Sequence, residues 1–240
     1  MKRSAFLLRL VPGILMLVGC GAAPVQVDRE ALAGIRTIAI IEAPEPAQYT
    51  VINKGSPLAG AGAIGGAFMA MSARKDEKGL LGAMARTQFS LRDQLMRDLQ
   101  ATLRARGYQT RVVNVQREKP GALLDDYANL PVEGAEGILD VVIANAGYAT
   151  QHWMTSSHWR PEARVFVGLY SRPSAKVVYR ETFMYGYHNP LMSGTNVDAP
   201  ETYRFADKAA MEASDDPTLV GGLKDASKSI AGRIADQLTR

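Results

Sequence analysis

The chain has 240 residues, 47% of them hydrophobic, with 28 Lys and Arg against 24 Asp and Glu, a formal net charge of +4 and one cysteine. A single thiol excludes an internal disulfide framework, so stability must come from a hydrophobic core, which a chain of this length can supply as one domain carrying at most a substantial insertion. The small basic excess does not point to nucleic acid, because Lys2, Arg3 and Arg9 sit in the first nineteen residues and no aromatic residue is interleaved with a Lys/Arg cluster elsewhere.

In chain order, the first element is Met1-Lys2-Arg3 followed by apolar runs at Ala5–Leu8 and Leu10–Val18, closing on Leu17-Val18-Gly19-Cys20. Two basic residues hold the amino terminus on the cytoplasmic side while the apolar stretch enters the bilayer. A transmembrane anchor or a buried helix is the competing reading. It fails because Arg9 interrupts a run already shorter than the ~20 residues a spanning helix needs, and Pro12-Gly13 would break it. The motif resembles the lipobox of diacylglyceryl-modified bacterial lipoproteins. That resemblance implies a signal peptide over residues 1–19 and a lipidated Cys20 as first residue of the processed chain, with several acyl chains anchoring it far more firmly than one. Gly21 in place of an aspartate implies the inner leaflet of the outer membrane, facing the periplasm.

Residues 20–34 lack a sustained period and read as a tether, leaving 35–240 as one periplasmic domain. Ile35–Ile41 is a nearly continuous β-branched run, the pattern of a strand covered on both faces. Pro44 and Pro46 end it, and Tyr49–Ile52 forms a second short strand. Ser90 caps a helix whose Leu91, Leu95, Leu99 and Leu103 share one face and which stops at Gly107. Tyr108–Val115 is then a strand reached by a parallel crossover. Residues 117–137 read as loop with at most a short helix. Three further strands, Ile138–Ala149, Ala163–Tyr170 and Lys176–Tyr185, make an antiparallel meander with a hairpin turn at 171–175. A closing helix is capped by Asp216, has Pro217 at its first position, and buries Leu219, Leu223, Ile230, Ile234 and Leu238. The expected fold is α/β (α+β): a mixed sheet of about five strands with two main amphipathic helices packed on it, plus a Gly/Ala-rich insertion at 56–73.

The Ile35–Ile41 strand, the Leu91–Leu103 helix, the Gly107–Val113 edge and the last helix look like small periplasmic α/β lipoproteins related in fold to the curli-secretion lipoprotein, the penicillin-binding-protein activator lipoproteins and the amino-terminal domain of TolB. Ile41–Asn53, with the Gly-rich segment after it, is similar to uncharacterised proteobacterial lipoproteins. These motifs carry no catalytic residues, and the resemblance implies assembly, scaffolding or envelope maintenance.

Two segments stand out as candidate sites. No charge occurs between Lys54 and Arg74, and on a helix Gly62 and Gly66 would share a face beside Ala59, Ala63 and Ala67. Small residues four apart let helix backbones approach closely, while in water each glycine opposes helix formation by up to ~1 kcal/mol relative to alanine. The segment is therefore either a Gly/Ala loop or a self-associating, membrane-touching zipper through Gly60, Gly62, Gly65 and Gly66. Gly60-x-Gly62-x-x-Gly65 matches a dinucleotide fingerprint only as letters, since Ser56-Pro57 stands where a strand must lead in.

The second segment, Gln151–Arg160, holds both tryptophans and two of the three histidines. Trp153, His158, Trp159 and Arg160 suit an aromatic contact loop that Tyr185 and Tyr187 could extend; alternatively the tryptophans cap the core. A metal shared by His152, His158 and His188 lacks a close cysteine or acidic ligand, so no metal or other cofactor is expected. Ser157 beside His158 makes no triad, because adjacent residues on an extended chain face opposite ways. Asp125-Asp126 and Asp215-Asp216 are turn or cap residues rather than acid and base pairs. The expected protein is thus no enzyme. It is a membrane-anchored binding, assembly or scaffold component whose partner is another envelope protein or a second copy of itself. The alternatives are a carrier of a small apolar or lipid ligand, and a glycine-zipper oligomer in the membrane.

Overall fold

The computed structural model describes residues 23–46, 48–54, 77–150, 158–186 and 193–240. The expected leader 1–19, Cys20, the Gly/Ala segment with Gly60, Gly62, Gly65 and Gly66, and Trp153, His152, Tyr187 and His188 lie outside them.

The described elements, in chain order, are helix α1 (Arg29–Ala33), strands β1 (Thr37–Ile41) and β2 (Tyr49–Asn53), helical residues 77–86 (α2), α3 (Leu91–Ala105), β3 (Gln109–Val113), β4 (Gly137–Thr150), β5 (Arg160–Ser171), β6 (Lys176–Tyr185), β7 (Thr195–Val197), a 3-10 turn (Glu201–Tyr203), α4 (Lys208–Glu212) and α5 (Asp216–Gln237). The strands form one mixed sheet of seven in the order β3-β1-β4-β5-β6-β7, with β2 also on β4. β4 is long enough to border two short strands on one edge, pairing with β1 from Gly137 to Asp140 and with β2 from Ala146 to Thr150. This is the α+β class expected. The count is seven strands rather than about five, and the three-residue β7, parallel to β6, is the strand that no sequence run announced.

The β1–α3–β3 crossover is parallel, as expected. Ser90 accepts a hydrogen bond from the Asp93 N–H at 3.1 Å, and Gly107 takes φ +84°, the left-handed conformation that ends the helix without strain. The β4–β5–β6 meander is antiparallel with its turn at 172–175. The last helix begins one residue earlier than expected: Asp215 is the cap, its carboxylate accepting from the Thr218 N–H at 2.8 Å, and Asp216 and Pro217 occupy the first turn. The Thr218 side chain and N–H together hold the Asp215 carboxyl below its ordinary pKa.

All the described helices supply side chains to one face of the sheet. Leu95, Leu99 and Leu103 of α3 and Leu223, Ile230 and Ile234 of α5 pack with Ile38, Ile40, Leu139, Val141, Val165 and Val167 in a single core. Alternate residues of β1, Ala39 and Ile41, face the other way and join Ile138 in a second core, closed by Tyr127, Val132 and Ala135 from the irregular stretch before β4. Both faces of β1 are covered, as its apolar run implied. The covering stretch lacks regular structure, and a polar anchor holds it: Asp140, fully buried on β4, accepts from the Leu124 N–H at 2.8 Å and the Tyr127 hydroxyl at 3.0 Å and pairs with Arg117. Tyr127 stacks on Tyr170 at 5.5 Å.

The tether reading of 20–34 is corrected from Val25 onward. Val25 bridges Arg180 on β6, Asp28 caps α1 and pairs with Lys176, and Leu32 is fully buried. A one-turn helix with one inward leucine is too short to show a period, which is why the sequence looked featureless there.

Candidate functional site

Strand direction decides where the candidate segments emerge. β2 and β4 run parallel and end side by side at Asn53 and Thr150. β5 runs back, so Arg160 starts opposite Ala149, and β6 returns to end at Tyr185 opposite Ala163. The connections after Lys54, between Thr150 and His158, and after Gly186 therefore all depart from one end of the sheet. Sequence reasoning singled out the Gly/Ala-rich and Trp-bearing segments separately; the topology brings their attachment points together.

The described contact candidates divide at this end. His158 is exposed and Arg160, the first residue of β5, is half-buried. Trp159 is 6% exposed and belongs to the main core, its backbone exchanging hydrogen bonds of 2.8 and 2.9 Å with Phe205. Its indole offers little surface to a partner and fits the core-capping reading. Tyr185, also fully buried, donates its hydroxyl to Asp225 at 2.5 Å. Burial, reinforced by that carboxylate, pushes its phenol well above its ordinary pKa.

Glu162 was not foreseen. Ala163 and Val165 face the helices, so alternation sends Glu162 to the opposite face of β5. There it is 3% exposed and pairs with Lys54, accepting also from the Asn145 amide at 3.0 Å and the Thr50 hydroxyl at 3.5 Å. A bulge in β4 between Ile143 and Asn145 resets the alternation, which is how Asn145 comes to Glu162's side. A buried carboxylate with no partner would be costly, so Lys54 and Glu162 together pin the last described residue before the Gly/Ala-rich segment onto the sheet.

On the helix side of the same end lies a cleft of about 280 Å³. Val51, Leu80, Tyr148, Met211 and Leu219 supply apolar wall, and Arg86 and Asp216 stand at its margin. The two hold each other in a two-pronged ion pair, 2.5 and 2.7 Å, and the guanidinium keeps the Asp216 carboxyl below its ordinary pKa. Tyr148 donates its hydroxyl to the Leu219 carbonyl at 2.8 Å and lies against Phe205 at 5.7 Å, so the cleft, Phe205 and Trp159 form one contact chain. Burial raises the Tyr148 phenol.

Among the described residues no three His, Cys, Asp or Glu side chains converge as a metal site would require, and Asp126 makes turn contacts, accepting from the Ala128 N–H and the Asn129 amide. No described helix is long and apolar enough to cross a membrane.

No family model matches the chain. No curated protein matches it either. Solved structures similar to it include the PelC dodecamer from Paraburkholderia phytofirmans, at 13% identity over 90% of this chain and 95% of that one, TM-score 0.38. A protein from Xanthomonas campestris is similar at 10% identity over 85% of each chain, TM-score 0.39. So is a homologue of neuraminyllactose-binding hemagglutinin from Helicobacter pylori, at 11% identity over 86% of this chain and 84% of that one, TM-score 0.39. Likenesses at these values transfer no residue role to this chain.

Proposed function

We propose that the protein is a lipid-anchored, non-enzymatic component of the bacterial envelope, held through Cys20 on the inner leaflet of the outer membrane, where it binds or assembles with another envelope component or with itself. The observation that carries this reading is the junction between signal and fold. Val25 is already paired with β6, so the folded body begins five residues after the lipobox cysteine. That spacing suits a protein working at the membrane surface rather than one reaching across the periplasm on a long linker. The test is fractionation of a bacterial host expressing the full chain. The wild type should float with outer membranes and yield an acylated amino-terminal peptide beginning at Cys20, and Cys20→Ala should lose nearly all membrane association. A wild type recovered in the soluble fraction with its leader intact would refute the anchor.

The carrier reading is favoured by one feature, the cleft under α2, whose apolar wall of Val51, Leu80, Met211 and Leu219 faces a polar side of Arg86, Glu212, Ser214 and Asp216, a lining suited to an amphiphile. A medium-chain fatty acid, added below its micelle concentration, should then change tryptophan emission saturably through the Tyr148–Phe205–Trp159 contacts. Val51→Phe, which fills the cleft from the sheet side, should abolish the change. A response that does not saturate, or that survives Val51→Phe, removes the carrier reading.

A further inference from the structure

The pairing that begins the fold also selects which end of the molecule meets the bilayer. Val25 and Arg180 exchange backbone hydrogen bonds of 2.8 and 2.9 Å, and the Asp28 N–H reaches the Val178 carbonyl at 2.9 Å. The segment is thus antiparallel to β6. Traced backward from Asp28 to Val25, the chain climbs from the level of Val178 toward Tyr185, the end from which the long connections depart.

Five residue steps separate Val25 from Cys20, a reach of at most ~18 Å. At a rise of about 3.3 Å per residue, Tyr185 lies ~17 Å ahead of Arg180, and the β5–β6 turn at Ser174 lies ~20 Å behind it. Chain direction therefore sends the segment toward the Tyr185 end, where β7 takes over the same edge of β6 from Phe183 onward, and a full extension the other way stops short of the turn. The two ends differ in character as well. At the turn end, Arg29 donates to the Gln237 and Thr239 carbonyls, Arg240 to the Gly107 carbonyl, and Arg106 pairs with Asp236, so cationic side chains close the carboxyl ends of α3 and α5. At the other end, Leu81 of α2 is 46% exposed, beside Gly79 and Leu80, which wall the cleft with Val51 and Tyr148. An anionic bilayer would attract arginines, but these are already engaged by carbonyls and by Asp236, and the chain at Val25 heads away from them.

We infer that the sheet end marked by Asn53, Thr150, His158 and Gly186 abuts the lipid bilayer and that the β5–β6 turn points into the periplasm. This rests on the lipid-anchor reading above. It gives the departing connections a membrane address and leaves the arginine-closed end to face periplasmic partners.

The experiment uses the full lipidated protein in vesicles of phosphatidylethanolamine and phosphatidylglycerol. Cys20 is the only native cysteine, and its sulfur is blocked by the lipid, so His158→Cys and Ser174→Cys each offer one thiol for a bimane label at an exposed position. A nitroxide carried on lipid headgroups should quench the label at 158 several-fold more strongly than the label at 174, which should match protein free of vesicles. Equal quenching, or stronger quenching at 174, in protein that floats with the vesicles overturns the orientation and leaves the anchor standing. Protein that carries no acyl group and fails to float overturns both.

Discussion

Replacing Asp140 with alanine should cost about 3–5 kcal/mol of unfolding free energy, the range for breaking one side of a buried ion pair. Arg117, whose side chain is 5% exposed, would be left charged and unpartnered among apolar neighbours, and the Leu124 N–H and the buried Tyr127 hydroxyl would lose their acceptor. The damage should be local in character. Asp140 fastens the stretch before β4 over Ala39, Ile41 and Ile138, so near-ultraviolet signals from the Tyr127–Tyr170 stack should weaken while far-ultraviolet helix signal from α3 and α5 persists. The double variant Asp140→Leu, Arg117→Met should recover much of the loss, because two apolar side chains remove the desolvation penalty that either single change exposes. Urea denaturation of Asp140→Ala, of Asp140→Leu and Arg117→Met singly, and of the double variant measures this. A single variant within about 1 kcal/mol of wild type, or a double variant as damaged as the sum of the singles, would show that the pair does not anchor the segment.

What the sequence disclosed tracks how often a pattern repeats. α3 was legible because four leucines recur at the helical spacing between a serine cap and a glycine stop, and β1 because an unbroken β-branched run has no polar face to expose. The meander followed from three long runs and one hairpin turn. Elements with a single inward residue left no pattern: α1 buries only Leu32, and β7 contributes only Val197. Adjacent Asp215 and Asp216 offer equivalent capping chemistry, and only geometry chose the first. The candidate site was half legible. Composition marked the Gly/Ala-rich and Trp-bearing segments, but their shared origin at one sheet end is a fact of strand direction. Glu162 escaped because Pro161 reads as a strand breaker. The β4 bulge that brings Asn145 to its side leaves no mark in the residues. Trp159 satisfies both the contact and the core-capping description by composition, and burial separates them.

Gly147→Ala should be, with Gly186→Ala, among the most damaging conservative changes near the site, costing roughly 3 kcal/mol or more. Gly147 has φ +145°, and a Cβ there would lie 1.8 Å from the Thr50 carbonyl oxygen, a backbone atom that cannot swing aside as a side chain would. Relief requires β2 to leave β4, surrendering the Tyr49–Asn53 ladder. Lys54 would go with it, so Glu162 would keep its burial but lose its cation, and the post that fixes the start of the Gly/Ala-rich connection would be gone. Two other glycines calibrate the result. Gly134, at φ +69° with nothing within 4 Å of a Cβ, should cost only about 1 kcal/mol on changing to alanine, the backbone term alone. Gly232, inside α5 with open space around it, should gain up to ~1 kcal/mol, because alanine is the better helix former. Denaturation midpoints should therefore rank Gly232→Ala above wild type, then Gly134→Ala, with Gly147→Ala well below. If Gly147→Ala unfolds near wild type, β2 is not held by that contact, and the Lys54–Glu162 pair must place the departing chain without it. If the ranking holds and the variant still floats with membranes through Cys20, anchoring and the architecture of this sheet end are separable properties. Loss of partner binding in that variant would then place the binding function at the sheet end rather than in the lipid.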